Sequence, residues 1–279
     1  MPTSSRTRPD PLRDLRHLTP RDRMLLSWLA EHQVLTTGQI STALFPSLRA
    51  AQKRLTLLYR IGAVARFEWA RTVDDIGFGL RYTLGPLGDL VYPSARGRRS
   101  LLAWRSELAR NPKLNHLLGV NGFFTSLHGR ARTHPGEQLA RWWGELHATG
   151  VYALAGIHPD GHGIWQADGR TVGFFLEHDR GTENLSVVLA KLPGYQRLAV
   201  AGPRYPVLLH VPDLDREASL HRALADLRPT IPVATAVHGR HPAGPIWALD
   251  GAGGPILWLH QLPSSHGPEG ISNPQRFDP

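Results

Sequence analysis

The chain has 279 residues, 41% hydrophobic and 20% charged, so it is globular rather than disordered and long enough for two domains. It has no cysteine, which excludes disulfides, cysteine-ligated zinc and a thiol nucleophile. The net charge of +9 is lopsided: residues 1–130 hold 20 Lys/Arg against 9 Asp/Glu, residues 131–279 hold 12 against 14, so the first half should meet a polyanion and the second should hold a cation.

Residues 1–18 read as a flexible basic arm with Arg6, Arg8, Arg13 and Arg16. Thr19-Pro20 starts a helix, Thr as N-cap and Pro at the first helical position, with Met24, Leu25, Trp28 and Leu29 at helical spacing toward Glu31. A second short helix begins at Thr36–Ile40 and ends near Phe45-Pro46. Ser47 caps a third, Leu48–Tyr59, whose buried face is Leu48, Ala51, Leu55 and Leu58 and whose other face carries Arg49, Gln52, Lys53 and Thr56. Strands follow at Ala63–Ala70 and Leu80–Leu84, joined by a loop near Arg71, and Gly85-Pro86 opens a further helix toward Tyr92. Three helices followed by a hairpin is the layout of a winged helix-turn-helix, with the third helix as DNA reader. Arg6, Arg8, Arg49, Gln52, Lys53, Arg54 and Arg71 are the candidate contacts to double-stranded DNA.

A basic linker, 93–112, leads to an apolar helix around Asn115–Leu127. The slightly acidic half then shows strands at Leu139–Leu146, Val151–Ile157 and 171–178. A helix from Thr182 or Asn184 should run to Leu192, where Pro193-Gly194 breaks or kinks it. A buried-type strand at Pro206–Val211, a helix capped by Asp213 or Asp215 and reaching Leu227, and a strand at Pro232–Val237 complete it. Residues 262–279 are rich in Pro, Gly and Ser and read as disordered.

Asp168-Gly169 between two apolar-containing runs is a two-residue hairpin signal, because both central residues of a type I′ turn need positive φ. With that turn, Ala167 pairs with Arg170, and counting outward sets Asp160 opposite Glu177. Asp179, two residues on, shares the face of Glu177. Three carboxylates on one patch repel unless neutralised, and Mg²⁺ or Mn²⁺ is the fitting counter-charge; a solvated acidic hairpin edge is the alternative. His158 and His162 share parity with Asp160 and could add a softer metal ligand, although exposed hairpin histidines are commoner. The only lysines are Lys53, Lys113 and Lys191.

The order helix, strand, strand, strand, helix, strand, with Pro159-Asp160 and then Glu177, resembles the PD-(D/E)XK (restriction-endonuclease-like) nuclease fold. That resemblance implies a metal between the Asp and the Glu and a supporting lysine. Asp179 stands where that lysine is usual, and Lys191 on the following helix is the candidate substitute. The runs Leu35-Thr-Thr-Gly-Gln-Ile40, Tyr82-Thr-Leu-Gly-Pro-Leu-Gly88, His116-Leu-Leu-Gly-Val-Asn121, Pro159-Asp-Gly161 and Phe175-Leu-Glu-His-Asp-Arg-Gly-Thr182, followed by Lys191 and Tyr195, give the chain a second likeness. Through them it resembles, over about residues 18–237, the replication-relaxation family of plasmids and integrative elements.

These readings give an α+β or α/β two-domain protein: a basic arm (1–18), a winged helix (19–92), a linker (93–112), a mixed-sheet nuclease-like domain (113–240) and an extension (241–279). The expected protein is cytoplasmic, with no membrane segment; a second copy of itself and transfer or replication proteins are the candidate partners. Two functions stay open. One is a Mg- or Mn-dependent nickase with Asp160, Glu177 and Lys191 as catalytic residues and Asp160, Glu177 and Asp179 as metal ligands. The other is a non-catalytic winged-helix regulator whose nuclease-like domain serves dimerisation or docking.

Overall fold

Helix α1 (Pro20–His32) begins as its chemistry dictates: the Thr19 side chain accepts from the Asp22 N–H, and Asp22 accepts from the Thr19 N–H, a reciprocal cap. The computed structural model describes residues 15–67, 80–93 and 100–266. The chain divides into two compact units, Met1–Leu118 and Gly119–Pro279.

In the first unit, strand β1 (Leu35–Thr36) leads into α2 (Thr37–Leu44), and α3 (Leu48–Arg60) follows, capped by Ser47. A hairpin of β2 (Val64–Phe67) and β3 (Arg81–Leu84) comes next, then α4 (Pro86–Val91) and α5 (Leu101–Arg110). The three strands pair antiparallel in the order β1-β3-β2. The run Leu35–Ile40 owes its form to a second reciprocal cap: Thr36 accepts from the Gln39 N–H and Gln39 accepts from the Thr36 N–H. Gly85 and Gly88 are needed for close approach, since a Cβ at either would overlap the backbone of Gly62 or Ala63.

Two packing expectations change. The buried stripe of α1 is Leu25, Leu26 and Leu29, and Met24 is exposed. Leu48, the first residue of α3, is 51% exposed, because at the helix start it lies beyond the contacts that bury Ala51, Leu55 and Leu58. The expected linker also contributes core: α5 buries Trp104 and Leu108 against Val34, Leu114 and Leu118. The expected wing, Arg71 included, and the arm residues Arg6 and Arg8 lie outside the described residues.

The second unit is a seven-stranded mixed sheet. It comprises β4 (Gln138–Gly144), β5 (Gly161–Ala167), β6 (Arg170–His178), β7 (Val207–Val211), β8 (Val233–Val237), β9 (Trp247–Leu249) and β10 (Ile256–Leu257), neighbours in that order. β4, β5 and β6 form an antiparallel meander; β6, β7 and β8 run parallel; β9 and β10 return antiparallel. Helix α6 (Leu114–Thr133) spans the division between the units, and its residues Val120, Phe123, Phe124 and Leu127 pack with Phe174, Leu176, Leu208 and Trp247. Helices α8 (Leu185–Leu189), α9 (Leu192–Ala201) and α10 (Leu214–Leu227) cover the other face, where Val188, Leu192, Tyr195 and Leu220 meet Phe175, Val207 and Leu209. Alternation along β6 therefore puts even-numbered side chains toward α6 and odd-numbered ones toward α9.

The hairpin forms as the turn chemistry requires. Asp168 and Gly169 both have positive φ, 52° and 69°, and Ala167 pairs with Arg170. Other elements differ from expectation. Val151–Ile157 is not a strand: α7 (Glu145–Val151) and a 3-10 turn at Ala153–Ala155 occupy it, and Leu154 points fully into solvent, so the apolar run has no sheet face to fill. Pro193 does not end its helix; it sits in the first turn of α9, where its missing N–H costs nothing, and the break falls at 190–191. Residues 241–266 are more than an extension: β9 and β10 add to the sheet and Leu259 and Leu262 enter the core. Ser264 bonds both the N–H and the carbonyl of Gly173, so 262–266 are tied down despite their composition.

Candidate functional site

Glu177 is the last odd-numbered residue of β6, so it faces α9. It is buried, at 3% exposure, and both its oxygens are engaged. Lys191 Nζ donates to Oε2 at 2.5 Å, and Tyr195 Oη donates to Oε1 at 2.5 Å. Lys191 sits at the joint between α8 and α9, and Tyr195 lies one turn further along α9, which aims both at one carboxylate.

The hairpin register carries Asp160 to the same place. Gly161 pairs with Leu176, so Asp160, just before β5, falls opposite Glu177. Asp160 Oδ1 is 3.8 Å from Lys191 Nζ, and Oδ2 accepts from the His178 backbone N–H at 2.7 Å. A carboxylate pair bridged by one ammonium is thus held at the carboxyl end of β6, the side of an open parallel sheet where ligands bind.

Burial first, and Asp160 next, push the Glu177 carboxyl up to about 8, against the pull of Lys191 and Tyr195. Burial alone would lower the Lys191 ammonium, but Glu177 and Asp160 outweigh it and raise its pKa, so the lysine is a firm cation. Burial and the same glutamate raise the Tyr195 hydroxyl well above the ordinary tyrosine value, so it acts as a neutral donor.

Asp179 takes a different partner. The strand ends at His178, and Asp179 accepts from Arg216 Nε of α10 at 2.6 Å and from the Gly181 N–H at 2.7 Å. Among the described residues, the group of three ligand-type side chains whose donor atoms lie within 4.8 Å of one another is His178, His210 and His238, not the three carboxylates. His158 is exposed. His162 is fully buried among Trp143, Tyr205 and Phe175, bonds the Phe174 carbonyl through Nδ1, and is lowered to about 3 by burial. Neither joins Asp160.

On α3, Arg49, Gln52 and Lys53 are exposed on one helical face. Arg54 is turned inward. Its guanidinium forms a two-pronged ion pair with the buried Asp22 and bonds the His17 carbonyl at 2.9 Å, so it locks α3 to α1 instead of facing a ligand. That role was invisible from the basic face alone, since nothing in the local spacing ties Arg54 to Asp22, 32 residues earlier.

The residues whose resemblance was noted also meet in space. Gly119 of the His116–Asn121 run packs on the ring of His178 from the Phe175–Thr182 run. The model of the replication-relaxation family matches residues 26–208 of this chain, which therefore belongs to that family. No curated protein and no solved structure matches it. No described helix is long and apolar enough to cross a membrane.

Proposed function

We propose that this replication-relaxation family member is a DNA-binding protein of plasmid or mobile-element replication or transfer, and that Asp160, Glu177 and Lys191 form a metal-dependent centre that nicks DNA. The first unit acts as a winged helix. Support comes from the order α1, α2, α3, β2, β3, from Arg49, Gln52 and Lys53 exposed on α3, and from the excess of 11 positive charges over residues 1–130. The second unit acts as a PD-(D/E)XK-type nuclease domain, with α6, the β4–β6 meander, α9 and β7 as its framework.

The observation that carries this reading is the seating of Lys191 between Glu177 and Asp160. Two carboxylates supply the hard oxygen donors that Mg²⁺ or Mn²⁺ takes, and Asp160 and Glu177 would hold the ion. Such an ion polarises a phosphodiester and lowers the pKa of water. The protein's own part is to hold the carboxylates at one point through the hairpin register and to present Lys191 as a fixed cation for the charge that builds on phosphate. Tyr195 orients Glu177 and holds its proton through the reaction.

The test uses supercoiled plasmid with and without Mg²⁺ or Mn²⁺, comparing wild type with Asp160→Ala, Glu177→Ala and Lys191→Met. Metal-dependent nicking lost in all three variants supports the centre. Nicking that persists in all three, or that needs no metal, refutes it. The regulator reading rests on one observation: both Glu177 oxygens already have partners. Wild type that binds DNA tightly, folds normally and never nicks it would favour that reading.

A further inference from the structure

The carboxyl ends of the three parallel strands β6, β7 and β8 each carry a histidine on the α6 face. His178 closes β6 and lies in register with His210 of β7, and His238 directly follows β8. The rings of His178 and His238 lie 4.4 Å apart, as do those of His210 and His238, and the donor nitrogens all fall within 4.8 Å of one another. His178 and His210 are buried and His238 is half-buried.

Two features separate this cluster from ring packing. His210 is only 7% exposed and makes no hydrogen bond of normal geometry through either nitrogen among the described residues. Burying an imidazole in that way costs stability that a leucine or phenylalanine would not incur. His238 bonds the His210 carbonyl through Nε2 at 3.0 Å, so Nε2 is the protonated nitrogen and Nδ1 carries the lone pair. A ring nitrogen anchored to a backbone carbonyl is the usual support of a metal-ligating histidine.

We propose that His178, His210 and His238 form a binding site for one divalent transition-metal ion of the zinc type. Three imidazoles suit Zn²⁺, Co²⁺ or Ni²⁺ and do not suit Mg²⁺. The site lies on the opposite face of the sheet from Lys191 and does not depend on the nuclease reading. An ion there would clamp the ends of three strands and hold the backbone beside Glu177. Ligation would turn the His178 ring out of its stack with His238, while the bond to the His210 carbonyl keeps His238 in place.

The test titrates the full chain with Co²⁺ and follows the visible ligand-field bands. With millimolar Mg²⁺ present to fill the carboxylate centre, one tight equivalent should bind with intense tetrahedral bands, and Zn²⁺ should displace it. His238→Gln should weaken Co²⁺ binding by at least about 100-fold, more than the loss of an outer-shell partner costs. The Asp160→Asn/Glu177→Gln double variant should bind Co²⁺ as wild type does. Zinc-edge X-ray absorption on the wild-type chain needs no variant and should count three imidazole ligands. No saturable site, binding unchanged in His238→Gln, binding lost in the carboxylate double variant, or fewer than three imidazoles would each overturn the proposal.

Discussion

Gly119 on α6 and His178 at the end of β6 are in direct contact, and the contact exists only because residue 119 has no side chain. A Cβ there would lie within 2.7 Å of Cδ2 and 2.9 Å of Cε1 of the imidazole, and closer still to Nε2. The pairing seats α6 close to the sheet at the point where Glu177, one residue before His178, turns the other way.

Gly119→Ala sets two effects against each other. Alanine favours a helix interior over glycine by about 1 kcal/mol, while overpacking a buried site costs about 1–3 kcal/mol. The overlap with a buried ring should win, and the variant should unfold at lower denaturant than wild type. In a His178→Ala background the overlap is gone, and the same substitution should become stabilising. A Gly119→Ala effect of equal sign in both backgrounds would show that the ring is not the obstacle.

The exposed and inward faces of α3 should separate by assay. Arg49→Ala and Lys53→Ala should each weaken duplex DNA binding and reduce the salt dependence by about 0.9 log unit per log unit of salt, one phosphate contact apiece. Arg54→Ala should instead cost about 3 kcal/mol of stability, because it strands the buried Asp22 charge. Were Arg54→Ala to fold as well as wild type and change only the salt slope, the inward assignment would fail.

Asp22 also gives the first unit an acid limit. Burial alone would raise its carboxyl, but the hydrogen bonds from Arg54 and Thr19 outweigh that and lower it below the ordinary value of 3.8. A depressed carboxyl contributes stability above its unfolded pKa and loses it as pH falls through the folded one. Stability should therefore drop below about pH 4, and Asp22→Asn should be weaker at neutral pH with a flatter acid limb. Chemical denaturation across pH 2–7 measures this; parallel curves for the two proteins would exclude the mechanism.

Local chemistry carried much of this structure in the sequence. Asp168-Gly169 set the turn, and a period of two then delivered Asp160 opposite Glu177 over eight residues on either side. Lys191 stood out because lysine is so rare here, and its helix puts it on that pair. Asp179 failed for a reason parity cannot see: the chain leaves the strand after His178, and an arginine 37 residues away claims the carboxylate. The histidine cluster was hidden in the same way. Its members sit at 178, 210 and 238, and only the parallel register of β6, β7 and β8 brings them together. His178 closes β6, His210 stands one residue before the end of β7 and His238 directly follows β8, a pattern that becomes readable once those strands are taken as parallel neighbours.

Lys191 and Tyr195 touch the same carboxylate, and their substitutions should part company. Tyr195→Phe removes one buried hydrogen bond and should cost about 1–2 kcal/mol of stability while leaving Lys191 on Glu177. On the nuclease reading it retains metal-dependent nicking. Lys191→Met removes the fixed cation and should lower nicking by at least about 100-fold at saturating metal. Asp179→Asn, which weakens the Arg216 pair and leaves Asp160 and Glu177 in place, should keep the rise in melting temperature that millimolar Mn²⁺ gives wild type, and Glu177→Ala should lose it. A denaturing gel supplies the opposite outcome. If wild type forms a covalent DNA adduct that Tyr195→Phe abolishes, Tyr195 attacks the phosphodiester itself, and its place as a donor to Glu177 would have to be given up.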